Sequence, residues 1–176
     1  MDPIIHFIIA VGLSLLFTSA AMHKARGLSE FRRVLQGYRL MPPRLIALVS
    51  FGVPLVEFVV AIGLIVPGTR EMNGVLAAIL LASYGIAIWI NLARGNLGLD
   101  CGCQFGASKQ TISPALVIRN AGLALVALLV ILPTAPRELQ LYDYSIIVFG
   151  LISVSLIYAI LNTQIANATR YQEINS

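Results

Sequence analysis

The sequence predicts an all-α fold, a polytopic membrane helix bundle of about five transmembrane helices in which a four-helix core is followed by one C-terminal helix. Three observations predict it. Apolar residues make up 58% of the chain and charged residues only 11%, whereas a soluble domain carries roughly a quarter charged residues. Apolar runs recur at 4–22, 45–66, 72–93, 115–132 and 145–161, each near the ~20 residues that cross a bilayer's hydrocarbon core. Ten of the twelve Lys and Arg residues also fall on one side of the membrane when the runs are threaded alternately, which is the positive-inside pattern. With 176 residues there is no room for a soluble domain beside the spans, so residues 1–176 read as a single integral-membrane domain. The net charge of +4 does not indicate a nucleic-acid partner. The cations flank apolar spans, where they meet anionic headgroups, and the lipid bilayer is the first partner.

The first run, Ile4 to Met22, ends near Ser19-Ala20-Ala21, a small-residue stretch of the kind signal peptidase cuts. Asp2 and the lack of Lys or Arg ahead of the run argue against a secretory signal. A retained first helix is expected.

A basic segment follows, with Lys24, Arg26, Arg32, Arg33, Arg39 and Arg44 against the single acid Glu30. Leu28, Phe31, Leu35 and Tyr38 recur at spacings of three and four. They predict a short amphipathic helix between Gly27 and Pro42, capped by Ser29 and lying in the headgroup plane. The same charges read equally as a solvated run that only sets topology.

The second run holds Pro54, which cannot donate to the Ser50 carbonyl, and Glu57 in mid-span. An ionised carboxylate costs several kcal/mol at that depth, so Glu57 should face the bundle. It reads either as a proton carrier or polar ligand partner, or as a carboxylic acid tying two helices together. In the third run Trp89 sits where aromatic rings anchor at the interface. Ser113-Pro114 is a helix start, serine as cap and proline as first residue. Arg119 and Asn120 lie about five residues inside the fourth helix, only ~8 Å below its start at ~1.5 Å per residue. From there Arg119 either snorkels to the interface or points back toward Asp100 and the thiols.

Threading with the amino terminus outside puts Lys24, Arg26, Arg32, Arg33, Arg39, Arg44, Arg94, Lys109, Arg119 and Arg170 inside. Arg70 and Arg137 remain outside. The expectation is a multi-pass protein of the bacterial inner membrane with a periplasmic amino terminus and the 94–113 loop at the cytoplasmic face.

That loop contains both cysteines, in Asp100-Cys101-Gly102-Cys103. Two residues of extended chain separate the cysteine Cα atoms by up to ~7 Å, just beyond disulfide range, so pairing needs the bend that Gly102 permits. A ring closed over one residue is strained, and strained disulfides exchange readily. Metal binding is the rival chemistry. A closed zinc site takes four ligands, but His6 and His23 are 17 positions apart on one predicted helix, about 25 Å by the helical rise. No metal site is therefore assigned, although two thiolates suit a soft ion such as Cu(I).

Asp100-Cys101-Gly102-Cys103 with Phe105-Gly106, Ile112-Ser113 and Arg119-Asn120 ahead of an apolar helix resembles the methylamine-utilisation protein MauE family. Lys24, Phe31, Tyr38, Pro42 and Pro54-x-x-Glu57 are similar to MauE and the related DoxX-like membrane proteins. Gln104 is a departure, since many members place Phe-Gly directly after the second cysteine. The resemblance spans roughly Ile4 to Leu132 and implies a role in maturation of the small subunit of methylamine dehydrogenase, a disulfide-dense periplasmic protein with a tryptophan-derived quinone cofactor. A thioredoxin-like protein of the MauD type is the implied companion.

The expectation is a membrane thiol–disulfide relay with Cys101, Cys103, Glu57 and Arg119 as its catalytic residues, Arg119 favouring the thiolate and Glu57 moving protons. No cofactor is assigned from the residues, and a quinone is compatible with the reading. A non-enzymatic docking scaffold for client processing or export is the alternative, followed by copper or small-molecule transport. The client is periplasmic while the cation count puts the cysteines inside. A relay that presents the pair across the membrane reconciles the two, whereas a quinone-coupled relay puts the cysteines near the periplasmic face.

Overall fold

The computed structural model describes residues 1–96, 98, 99, 101 and 111–174. Asp100, Cys103 and the Phe105-Gly106 pair of the predicted motif lie outside the described residues. Among the described residues six α-helices form: α1 (Pro3–Arg26), α2 (Leu28–Tyr38), α3 (Pro43–Ile65), α4 (Arg70–Ala93), α5 (Pro114–Leu128) and α6 (Leu141–Ile174), with a 3-10 turn, Leu129–Ile131, extending α5. Five of them are long and apolar enough to cross a membrane, all except α2. The expected bundle is therefore observed.

Local chemistry starts most of these helices where the sequence indicated. Asp2 caps α1, its carboxylate accepting from the Ile4 amide at 2.8 Å with Pro3 as first residue. Ser113 and Pro114 occupy the cap and first positions of α5, but the Ser113 hydroxyl makes no capping bond. In α2 the expected cap is corrected. Gly27, not Ser29, precedes the first helical residue, and its amide still donates to the His23 carbonyl at 3.0 Å. The chain thus turns from α1 into α2 with almost no linker, and α2 tucks Phe31 and Tyr38 inward while Arg32, Arg33 and Arg39 stay exposed. The amphipathic pattern of the sequence sets that division.

α1 packs on α3 and α4 on α5, and the four share one core of Leu13, Phe17, Val60, Leu64, Leu81 and Val130. Small residues set the spacing. A Cβ placed on Gly74 of α4 would come within 3.1 Å of the Ala127 carbonyl oxygen of α5, so the two backbones touch as small-residue seams allow in lipid. Apolar side chains such as Leu48, Phe51, Ile79, Trp89 and Ile118 point outward and are exposed. In a bilayer that is the expected surface rather than a patch seeking cover.

α6 stands apart. Most of its described side chains are exposed, and it leans on α1, where Gly150 lets the Ile8 side chain lie against its backbone. The sequence ends this span near residue 161 and leaves a polar tail, whereas the helix continues through Asn162 and Ile165 to Ile174. Those extra turns reach the site described next.

Candidate functional site

The centre of the bundle holds a buried charge pair. On α1 the inward stripe Ala10, Leu13, Phe17, Ala21 recurs at spacings of three and four and its next member is Lys24. On α3 the inward stripe Ser50, Pro54, Glu57, Val60, Ala61 places Glu57 inward at mid-span. Packing α1 on α3 brings the two together, and the Lys24 ammonium donates to Glu57 Oε1. Lys24 is 4% exposed and Glu57 0%. From α4 the Tyr84 hydroxyl donates to the same oxygen at 2.7 Å. The ammonium also lies over two aromatic faces, 4.9 Å from the Tyr84 ring centroid and 5.6 Å from that of Phe31. Each face offers it negative quadrupole density in place of water. Glu57 Oε2 has no hydrogen-bond partner among the described residues.

Two cavities meet at this pair. The smaller, about 30 Å³, is lined by Glu57, Lys24 and Tyr84 together with Arg119, Asn120 and Tyr158. It has room for a water molecule, which needs roughly 10–15 Å³ by this measure. The larger, about 240 Å³, lies between α2, α3 and α4. Its walls are mostly apolar (Phe31, Val34, Val49, Val53, Ile88), its inner end is Lys24 and Tyr84, and Cys101 forms part of the wall. Lys24 and Tyr84 line both cavities and so form the partition between them.

Cys101 is held against that wall by its neighbours. It is 5% exposed and packs with Tyr38, Ile88, Ile112 and Leu116. The Tyr38 hydroxyl donates to the Cys101 carbonyl at 3.5 Å. The loop's two ends are joined by the Ile112 amide donating to the Leu99 carbonyl at 2.9 Å, and Arg94 Nη1 donates to the Tyr38 carbonyl at 3.5 Å. The amphipathic helix α2 therefore closes the cavity on the side of the cysteine loop. Ile88 is four residues from Tyr84 on α4, ~6 Å of helical rise, so the cysteine layer sits about one turn from the charge pair.

Of the four residues the sequence singled out, Glu57 and Arg119 share the smaller cavity and Cys101 lies on the larger one. Cys103 is outside the described residues. Arg119 Nη1 donates to Asn162 Oδ1 of α6 at 2.6 Å, so its side chain runs within the bundle at the level of the extended last helix. His6 is occupied at the opposite end of α1, with Nε2 2.9 Å from the Val130 carbonyl oxygen and Nδ1 3.4 Å from Arg70 Nη1. His23 is exposed on the same helix. Neither histidine approaches the other.

Comparison with known proteins covers this constellation. A family model described as "Methylamine utilisation protein MauE" matches residues 2–133. The chain belongs to the MauE family. It is 42% identical over 137 residues to a protein named methylamine utilization protein MauE from Methylorubrum extorquens, covering 77% of this chain and 74% of that relative. A relative of the same name from Paracoccus versutus is 39% identical over 127 residues, covering 72% of this chain and 68% of its own. One from Paracoccus denitrificans is 37% identical over 128 residues, covering 73% and 69%. No solved structure matches. The MauE match runs from the cap of α1 through the 3-10 turn after α5, so it includes Lys24, Glu57, Tyr84, Cys101 and Arg119 and stops short of α6.

Lys24 and Tyr84 are the functional-site candidates that charge counting overlooks. Lys24 reads as one of six cations in a basic segment, yet it continues the apolar stripe of α1 by one turn, and that register is the signal that turns it inward. Tyr84 carries no comparable signal. It lies between the buried positions Leu81 and Ile88 of α4, and only the approach of α3 gives its hydroxyl an acceptor.

Proposed function

We propose that this MauE-family protein is a membrane thiol–disulfide relay in which Cys101 and Cys103 exchange with a thioredoxin-like partner of the MauD type. The client is a disulfide-rich periplasmic protein, the small subunit of methylamine dehydrogenase. The protein resides in the bacterial inner membrane with its amino terminus in the periplasm. The observation that supports the reading is the position of Cys101. It is buried at the wall of a cavity that Lys24 and Tyr84 also line, and both of those groups hold Glu57 on their other side, a setting that brings a thiol within one cavity of groups able to hold and move protons.

The exchange is a pair of displacements. A thiolate of the Cys101-Cys103 pair attacks one sulfur of the partner's disulfide, a mixed disulfide forms and the partner's second sulfur leaves as thiolate. The remaining cysteine of the pair attacks the mixed disulfide, its own disulfide closes and the partner departs as dithiol. Two electrons pass from the pair to the partner, and the two protons follow. The opposite direction runs through the same intermediate. Arg119 lines the smaller cavity, across the Lys24–Tyr84 partition from Cys101, and its fixed positive charge favours thiolate over thiol when the pair is presented on that side. Glu57, with Oε1 already holding Lys24 and Tyr84 and Oε2 without a hydrogen-bond partner among the described residues, accepts and returns protons through the smaller cavity that it lines. Presenting the pair across the bundle requires α2 to move from the mouth of the larger cavity, since its residues form one wall of it.

The reading is tested in cells by trapping thiols with a maleimide that adds mass. The pair is expected as a mixture of dithiol and disulfide that shifts to one form when the thioredoxin-like partner is deleted. A pair found in a single form whether or not the partner is present contradicts a relay.

A further inference from the structure

Around α2 an exposed cationic surface backs onto the larger cavity. Arg26, Arg32, Arg33, Arg39 and Arg44 stand against the single acid Glu30, and all five are exposed. Arg33 pairs with that acid at 3.2 Å, and Arg32 Nε donates to the Ser50 hydroxyl at 3.0 Å. The side chains of Arg26, Arg39 and Arg44 have no hydrogen bond or ion pair among the described residues. On its inner side α2 gives Phe31, Val34, Leu35 and Tyr38 to the cavity wall, and the following linker adds Leu40 and Met41. Arg39 immediately precedes those two residues, and Arg44 soon follows them, so cations stand at the rim. The depth of the space is that of one leaflet. α2 joins the end of α1 to the start of α3 at one membrane face. Val49 and Val53 line the cavity at ~9 and ~15 Å from the start of α3, at ~1.5 Å per residue, against a hydrocarbon core ~30 Å thick. Exposed Ser83 of α4 also belongs to the lining, so the space opens toward the bilayer. At the inner end the Lys24 ammonium is taken up by Glu57 and by the Phe31 and Tyr84 ring faces, and an occupant needs no polar group there. An apolar cavity of roughly 150 Å³ stays dry and takes a small hydrocarbon. This one is about 240 Å³.

We propose that the protein binds one anionic diacyl phospholipid here, with its phosphate on Arg39 and Arg44 and one acyl chain in the larger cavity. Charge complementarity selects the occupant. Each arginine near the membrane surface adds roughly a fivefold preference for anionic lipid, and the guanidinium fork matches phosphate oxygens. A zwitterionic lipid fills the cavity equally well, but its choline ammonium has no acid to meet, because Glu30 is paired with Arg33. Water finds too few polar partners along these walls. A helix from another protein, about 10–12 Å across, does not enter a space of this size. The acyl chain lies against Phe31, Val34, Val49, Val53 and Ala87, so the lipid fastens α2 to α3 and α4, with its head on the outer side and its chain beneath. Binding requires no cysteine, and the site stands apart from the relay reading.

The test uses the full-length protein, delipidated in detergent and titrated by native mass spectrometry with phosphatidylglycerol and, separately, phosphatidylcholine of the same acyl chains. Expected is one retained phosphatidylglycerol, preferred about tenfold or more over phosphatidylcholine. Arg39→Gln combined with Arg44→Gln is expected to cut that preference about tenfold or more, at about fivefold for each arginine. Both side chains are exposed, so the fold tolerates the change. Ala87→Phe fills the cavity from α4 and leaves the arginines in place, and is expected to weaken phosphatidylglycerol retention about tenfold. Helix content by circular dichroism is measured for each variant. A phosphatidylglycerol with a photoreactive diazirine in its acyl chain supplies a readout on the unaltered protein, with crosslinks expected on Val49, Val53 or Ala87. Equal retention of the two lipids overturns the proposal, and so does an undiminished preference in the double arginine variant. Crosslinks confined to outward residues such as Phe51 and Ile79, or full retention by a folded Ala87→Phe protein, overturn it as well, because either puts the chain on the outer surface.

Discussion

Lys24→Met alone is expected to destabilise the folded bundle by about 3–5 kcal/mol, the cost of leaving one member of a buried ion pair without its partner. Glu57 is fully buried, and removing the ammonium leaves the Tyr84 hydroxyl as the one described hydrogen-bond partner of its Oε1 oxygen. Glu57→Leu alone has a similar cost for the mirror reason, an ammonium held between two aromatic rings with no counter-ion. The double variant is expected to recover most of the loss. Met and Leu occupy similar space, pack against Phe17, Leu81 and Phe31, and carry no charge to desolvate. A coupling energy of about 2 kcal/mol or more, read from unfolding midpoints of the four proteins in one detergent, is the expected result. Additive losses would mean that the two groups do not act as a pair.

Replacing both Cys101 and Cys103 with serine is expected to abolish disulfide maturation of the client while leaving the membrane protein in place. Cys101 packs against Tyr38, Ile88 and Leu116, so serine there adds a hydroxyl to an apolar layer at about 1–3 kcal/mol. Protein abundance in the membrane is therefore measured alongside, and a Cys101→Ala, Cys103→Ala pair serves as the apolar control. The client's free thiols, counted by mass after alkylation, report the outcome. A client with its full set of disulfides in both double variants assigns the cysteines to the fold rather than to exchange.

The bundle was legible because membrane spans are written in composition and length. The runs at 4–22, 45–66, 72–93 and 115–132 correspond to α1, α3, α4 and α5 within the few residues by which helix ends vary. The last helix was misjudged in length because residues 162–174 are polar and read as a tail, while the Asn162 amide facing Arg119 and Ile165 packing beside the cysteine layer give those turns internal work. Within the site, Glu57 was visible because a carboxylate in mid-span has few explanations. By charge alone Lys24 was hidden among neighbouring arginines; its place in the family-like pattern and its register on α1 distinguish it from them. Its burial also bears on orientation. Lys24, Arg94 and Arg119 all contribute to the ten-to-two cation split, and each is bonded within the protein, so their positions answer to packing as well as to topology. The larger cavity has no sequence signature, since it exists only where α2 folds back over α3 and α4.

The central claim is that Cys101 and Cys103 exchange with a thiol partner, and a trapped mixed disulfide tests it most directly. In a strain carrying Cys101→Ser or Cys103→Ser, acid-quenched and alkylated before solubilisation, the remaining cysteine is predicted to be found covalently joined to a thioredoxin-like protein in a band that collapses on reduction. Absence of any such adduct from both single variants, with each present in the membrane at the level of the unaltered protein, would contradict the relay.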